Sequence, residues 1–168
     1  LRLFSVALPL LAIGAAFDAQ NLNVGFFNRI NFSYWVEFLL VILILDFAIW
    51  LQHLLTHKIE FLWRIHRVHH SDTQMDVSTA IRFHPIEIAL SMALKIGLVY
   101  ALGADPLSIL FFEILLNGSS MFNHANIKIP TQIDKVLRLF IVTPDMHRIH
   151  HSSDRNEHDT NFGFALSV

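Results

Sequence analysis

Eight of the chain's 11 histidines fall at spacings that bring imidazole rings together. His53 and His57 are four residues apart, and i and i+4 share one face of a helix, so both rings point the same way. His66, His69 and His70 follow the pattern HxxHH, and His147, His150 and His151 repeat it. Positions i, i+3 and i+4 place three rings on about one helical turn. Neutral imidazole binds Fe, Zn, Cu and Ni. Eight such ligands from three segments exceed what one four-coordinate zinc needs and suit two ions with open positions. A single HxxxH is as readily ordinary polar surface. Three such elements together are not, because clustered imidazoles repel one another when protonated and have no packing rationale.

The two HxxHH elements belong to a short internal echo. Residues 63–72 (WRIHRVHHSD) are matched by residues 146–154 (MHRIHHSSD), so H-R-[VI]-H-H-S occurs twice. Two copies, each following a pair of apolar runs, suggest two equivalent contributions to one site.

The elements that carry these residues read as membrane helices. Of 168 residues, 54% are apolar and 15% charged, with mean hydropathy +0.48. A soluble domain of this size cannot hide so much apolar surface. Four apolar runs cover residues 3–17, 34–52, 86–102 and 106–122. Crossing about 30 Å of hydrocarbon takes roughly 20 helical residues. The second run fits, the third and fourth are a little short, and the first is short enough to be a truncated or re-entrant span. No small-residue site closes the first run as it would a cleaved signal peptide.

Charge sets the orientation. Lys58, Arg64, Arg67 and Arg82 lie between the second and third runs, and Lys128, Lys135, Arg138, Arg148 and Arg155 follow the fourth. Only Arg29 lies between the first two, and no base between the last two. Four spans place both basic groups, with Arg2, on the cytoplasmic side. Every histidine then falls on that side or at its boundary. The expected fold is all-α: a multi-pass bundle of about four spans with a cytoplasmic, histidine-rich, metal-binding cap. It forms one membrane-embedded domain over residues 1–168, and a start at Leu1 and a stop at Val168 leave room for truncation at both ends. A net charge of −2 gives no footprint for nucleic acid.

The order HxxxH, HxxHH, HxxHH resembles the fatty acid hydroxylase/sterol desaturase superfamily. So do Arg82-Phe83-His84-Pro85-x-Glu87 after the second element, and Asn123-His124-Ala125-Asn126 with Pro130 ahead of Thr143-Pro144-Asp145-Met146-His147. Asn161-Phe162-Gly163 completes the set. The resemblance covers roughly residues 53–163, and the ordered set is highly specific. It implies a non-haem di-iron centre, two Fe ions that Zn can replace, and O2-dependent attack on a lipid C–H bond. It carries over His53, His57, His66, His69, His70, His147, His150 and His151 as ligands, with His124 as a ninth. Family members usually continue to a Trp-Asp and a Phe-Gly-Thr, and this chain ends before them. The implied enzyme is a lipid hydroxylase or desaturase in the bacterial inner membrane or endoplasmic reticulum.

Several polar residues stand outside that set. His84 precedes Pro85, where Pro suits the first helical position and Glu87 the positive helix end, so a helix-start role is expected. His158 sits among Arg155, Glu157 and Asp159 in a stretch expected to be solvated. Asp46 lies about 10.5 Å deeper than His53 on the same helical stripe, too remote for a ligand. Asp72 and Asp154 either orient imidazoles or cap helices. Lys95 and Glu113 each lie about 13.5 Å from the inner ends of the third and fourth runs, and a charge at that depth seeks a partner. The two are expected to pair. The alternatives are Lys95 with Asp46, or a snorkelling Lys95.

Two other functions fit less well. An intramembrane zinc hydrolase needs a glutamate beside its first histidine, as in HExxH, and that position is Leu54. A metal transporter needs ionisable residues along a path through the spans, whereas these ligands gather at one face. Electrons for an oxygenase must come from outside, from a cytochrome b5-like or ferredoxin-type donor. The chain has no cysteines for an Fe–S centre, no Gly-Gly after His84-Pro85 to form a haem loop, and no dinucleotide fingerprint.

Overall fold

The computed structural model describes residues 2–72 and 74–167, with side chains from residue 7 onward; the side chain of Arg2, counted above among the inner charges, lies outside them. The order of elements is α1 (Arg2–Asn21), α2 (Tyr34–Lys58), α3 (Glu60–His66), 3-10 turns at His69–Ser71 and Thr79–Ile81, α4 (Pro85–Leu102), α5 (Pro106–Asn123), α6 (Thr131–Leu137), α7 (Pro144–His150) and α8 (Arg155–His158). The fold is all-α. Among the described residues the only β pairing is one isolated antiparallel bridge, Ile141 with Leu166.

All four apolar runs are helices, with starts written in local chemistry. Asp105 caps α5, its Oδ2 accepting from the N–H groups of Leu107 and Ser108 at 3.0 Å each, and Pro106 follows at the first position. His84 does the same for α4, Nδ1 accepting from the Ile86 N–H at 3.2 Å, as its place before Pro85 suggested.

Helices α2 and α4 are long and apolar enough to cross a membrane. Only 28% and 22% of their most apolar windows are buried. A core helix of a soluble protein hides such residues, whereas here Leu39, Leu43, Phe47, Leu90 and Leu94 face outward. The expected four spans become two by this measure. At 18 residues α5 is diluted by Glu113, Asn117, Ser119, Ser120 and Asn123.

The chain forms two compact units, one made of Leu1–Ala48 and Ile88–Ile114, the other of Ile49–Glu87 and Leu115–Val168. In the first, α1 buries Ala12, Ala15, Ala16 and Ala19, a stripe at i, i+3, i+4 and i+7 whose small side chains allow close helix approach. Val41, Leu45, Val99, Ile109 and Phe112 fill the core. The α4 terminus would leave carbonyls unpaired, and the loop after α1 satisfies them. The Phe26 N–H donates to the Ala101 oxygen (2.9 Å) and the Phe27 N–H to that of Leu102 (2.7 Å). Gly25 makes this approach feasible. Its φ is +100°, and a Cβ there would lie 2.1 Å from the Gly103 nitrogen.

Lys95 and Glu113 pair in this unit, Nζ to Oε1 at 2.5 Å, and both are buried (7% and 3% exposed). The depth argument from sequence anticipated this contact, which ties α4 to α5. Removing one partner strands the other charge at a cost of about 3–5 kcal/mol, whereas removing both is far milder. Lys95→Met and Glu113→Gln should therefore each lower the thermal midpoint of the purified protein. Their double variant should recover a coupling of at least about 1 kcal/mol. Strictly additive losses would dissolve the pair as a structural tie.

Candidate metal centre

The second unit draws nine histidines from five places. The end of α2 carries His53 and His57, and the end of α3 carries His66. A 3-10 turn carries His69 and His70, His124 follows α5, and α7 with its C-cap carries His147, His150 and His151. Neither HxxHH element is one regular helical turn. The first breaks between α3 and the 3-10 turn, and the second ends on the cap, which lets neighbouring rings diverge.

The rings sort into two groups. His53, His57, His66, His70 and His150 form one, and His69, His124, His147 and His151 the other. Within each, the ring nitrogens on offer all lie within 4.8 Å of one another. The echoed motifs are shared reciprocally. The first sends positions i and i+4 (His66, His70) to the group of five and i+3 (His69) to the group of four. The second sends i and i+4 (His147, His151) to the group of four and i+3 (His150) to the group of five. His70 and His151 stack across the division at 4.3 Å and 11°.

Outer hydrogen bonds fix which nitrogen points inward. The Nδ1–H of His53 donates to the Phe162 oxygen (2.7 Å), that of His150 to Thr160 (2.6 Å) and that of His124 to Ser120 (2.6 Å). A carbonyl can only accept, so the proton sits on Nδ1 and Nε2 is bare. His66 Nδ1 lies 2.6 Å from Glu87 Oε1. These Nε2 atoms then face other rings. His53 Nε2 lies 3.0 Å from that of His150 and 3.2 Å from that of His66, and His124 Nε2 lies 3.1 Å from His69 and 3.0 Å from His147.

Between His53 and His150 no proton is available, so two lone pairs oppose each other in a buried site. A cation between them removes that conflict. The remaining nitrogens say the same: both on His57, His70 and His151, and Nδ1 of His69 and His147, are buried without a hydrogen-bond partner. The donor set fits metal ions. Outside the spans, burial first and neighbouring imidazoles second hold His66, His69, His70, His147 and His150 well below the ordinary histidine pKa. Burial takes His124 down to about 4, and burial with the nearby His124 and His53 takes His151 to about 3. All are neutral at pH 7, the form that binds metal.

The residues from 160 to 167 close the site. Asn161 adopts a left-handed φ of 54° and its Nδ2 donates to the Met146 oxygen (3.3 Å). That turn aims the carbonyls of Thr160 and Phe162 at two histidines. Asn123 Nδ2 donates to the Phe164 oxygen (3.0 Å) and the Val142 N–H to that of Ala165 (3.2 Å). At Gly163 a Cβ would meet the Leu166 oxygen at 2.3 Å, so the Asn-Phe-Gly element is close-packed backbone. Phe83 stacks on His69 at 4.1 Å and 12°.

Sequence reasoning placed His158 in solvent, and this is corrected. It is half-buried, stacked on Trp63 (5.0 Å, 16°), with its ring 5.7 Å from His57 and 6.0 Å from His70. A helical offset of three from Arg155 hid it among charged neighbours. Glu87, read as a helix-end charge, is a histidine partner. Asp154 caps α8, accepting from the Asn156 N–H (2.9 Å). Asp72 orients no imidazole; it accepts from Arg82 (2.8 Å) and the Thr79 hydroxyl (2.7 Å) and so holds the loop before α4.

Relatives share this histidine-bearing region. The family model for fatty acid hydroxylase matches residues 38–168. The chain is 32% identical over 132 residues to ornithine lipid hydroxylase OlsE of Rhizobium tropici, covering 79% of this chain and 39% of that protein. It is 27% identical over 126 residues to human alkylglycerol monooxygenase, covering 73% of this chain and 26% of that protein. The alkylglycerol monooxygenase of Caenorhabditis elegans is similar at 27% over 125 residues, covering 73% and 23%. The chain thus spans roughly a quarter to two fifths of the length of these curated relatives. No solved structure matches it. Apolar helices turned outward, histidine clusters suited to metal and lipid-oxidising relatives agree: this membrane chain belongs to the fatty acid hydroxylase family.

Proposed function

We propose that the chain is the metal-bearing core of a lipid hydroxylase. In this reading His53, His57, His66, His70 and His150 hold one iron, and His69, His124, His147 and His151 hold a second. The observation that carries it is the opposition of bare Nε2 atoms on His53 and His150 at 3.0 Å, with close Nε2 contacts in the second group as well. When bound, an iron pair supplies reduction of O2 and the oxidant for an unactivated C–H bond. The protein's own share is orientation. The carbonyls of Ser120, Thr160 and Phe162 hold protons on Nδ1, Glu87 bonds His66 and would be ionised by the bound cations, raising that ring's donor strength, and burial keeps water away.

The names of the relatives favour hydroxylation over desaturation, and a polar lipid with a long hydrocarbon chain as substrate. The four apolar helices α1, α2, α4 and α5 cross the membrane in this reading, with the basic segments and the histidines on the cytoplasmic side. Electrons arrive from a separate cytochrome b5-like or ferredoxin-type donor.

Protein purified from membranes should carry about two metal ions per chain, with zinc partly replacing iron because nitrogen sites prefer it in the divalent series. Given O2, reductant and a lipid panel, it should yield a hydroxylated lipid, and none without O2. A folded, metal-free preparation by elemental analysis would end this reading. His150→Ala should halve the metal content and abolish turnover, yet leave membrane insertion intact, since insertion follows the apolar helices and flanking charge.

Glu87 gives a graded test. Gln keeps an oxygen that accepts from His66 Nδ1–H but loses the charge, whereas Leu loses both. Metal affinity by chelator competition should fall about 10-fold for Glu87→Gln and towards 100-fold for Glu87→Leu. Equal affinities in all three proteins would remove Glu87 from the centre.

A further inference from the structure

Helix α6 and the turns that follow it carry apolar side chains in the wrong direction for a folded cap. Successive backbone bonds from Arg138, Leu139, Phe140 and Ile141 continue the helical path past Leu137. Ile133, Val136 and Phe140 therefore share one face at i, i+3 and i+7. That face is exposed: Ile133 is 53% accessible, Val136 59% and Phe140 67%, with Leu139 beside them at 71% and Ile127 upstream at 47%. The most buried residue of the segment is a carboxylate, Asp134, 3% exposed and accepting from Arg138, with Leu137 and Ile141 only half-buried beside it. A soluble helix turns the larger share of its apolar side chains inward.

Charge says what covers the face. Between His124 and Thr143 the charged residues are Lys128, Asp134, Lys135 and Arg138. The single acid is buried, and the three bases are exposed. Exposed apolar residues rimmed by bases, with no exposed acid, match an anionic lipid surface.

We propose that residues 127–140 form a membrane-surface docking element. Ile133, Val136, Leu139 and Phe140 enter the boundary between headgroups and acyl chains of an anionic bilayer, and Lys128 and Lys135 meet its phosphates. The segment joins His124 to His147, two members of the group of four imidazoles, so docking holds that group beside the lipid phase. This last consequence rests on the hydroxylase reading. The docking itself does not, and its test reads position alone.

The chain has no cysteine, so single-cysteine probes are clean. Val136→Cys and Phe140→Cys, each carrying an environment-sensitive fluorophore, would be placed in the full chain in nanodiscs. Asn156→Cys, exposed on α8, is the solvent reference. In discs containing phosphatidylglycerol, lipids spin-labelled near the headgroup should quench both α6 probes, and aqueous iodide should quench them at least about threefold less than the Asn156 probe, as expected for burial at the acyl boundary. Lys128→Glu with Lys135→Glu, or discs of phosphatidylcholine alone, should return the α6 probes towards the reference. Two results overturn the proposal. One is iodide quenching equal to the reference in anionic discs. The other is protection from iodide and lipid label alike, which assigns the face to a second copy or a protein partner. Metal content measured on the same samples is read separately, so a failed docking test leaves the hydroxylase reading where it stood.

Discussion

Two bare imidazole nitrogens facing each other inside a protein cannot be left alone. Each lone pair loses its water, gains no donor and repels the other, at a cost comparable to an unsatisfied buried polar atom for every ring involved. In this chain His53 and His150 are fixed in that opposition, each by a bond on the far side of its ring, and three further Nε2 pairs lie within 3.2 Å. The carbonyls of Ser120, Thr160 and Phe162 leave bare Nε2 atoms inside the cluster, which a cation would satisfy. Much of the second unit follows from delivering those acceptors. Asn161 takes a left-handed turn, Gly163 has no room for a Cβ, and Asn123 is buried against the Phe164 carbonyl.

The reciprocal use of the echoed motifs follows from the same constraint. A helical HxxHH on its own aims three rings at one region and crowds a single ion. Breaking the first motif into a 3-10 turn and ending the second on a cap sends the middle histidine of each across to the other group. HxxxH from α2 then completes one group and His124 the other. Neither group can form from one motif, so the histidine elements must be docked together before either is complete. Metal binding is in this way coupled to the tertiary structure rather than to any local segment.

Much of this was legible in the chain itself. The three histidine elements show their spacing directly, the apolar runs all became helices, and the depth arithmetic that paired Lys95 with Glu113 needed only the rise per residue. The outer bonds were less visible for a physical reason. A backbone carbonyl has no side-chain signature, so nothing in Thr160 or Phe162 announces an acceptor. Glu87 was seen but misread, because a carboxylate in the first turn of a helix already has an adequate local explanation, and only its tertiary neighbour His66 changes it. The same holds for His158, whose charged neighbours in sequence point away while its own ring turns inward to Trp63. Asp72 went the other way, sitting beside an HH pair yet spending its oxygens on Arg82 and Thr79.

Imidazoles alone do not select a metal, since nitrogen donors bind zinc more tightly than ferrous iron. Selection has to come from what the donor set leaves open and from charge just outside it. Among the described residues both groups offer imidazoles and no carboxylate, so any cation held there would bring uncompensated charge into a buried site. Glu87 lies on the far side of His66, in the group of five, whereas in the group of four the Ser120 oxygen meets His124 and the ring of Phe83 meets His69. The two positions are therefore electrically unequal despite their matched motifs. The group of five offers five imidazoles with the Glu87 carboxyl one ring away, and the group of four offers four. The group of four is also the one whose members His124 and His147 bracket the exposed apolar segment, so the chain ties that group directly to that surface.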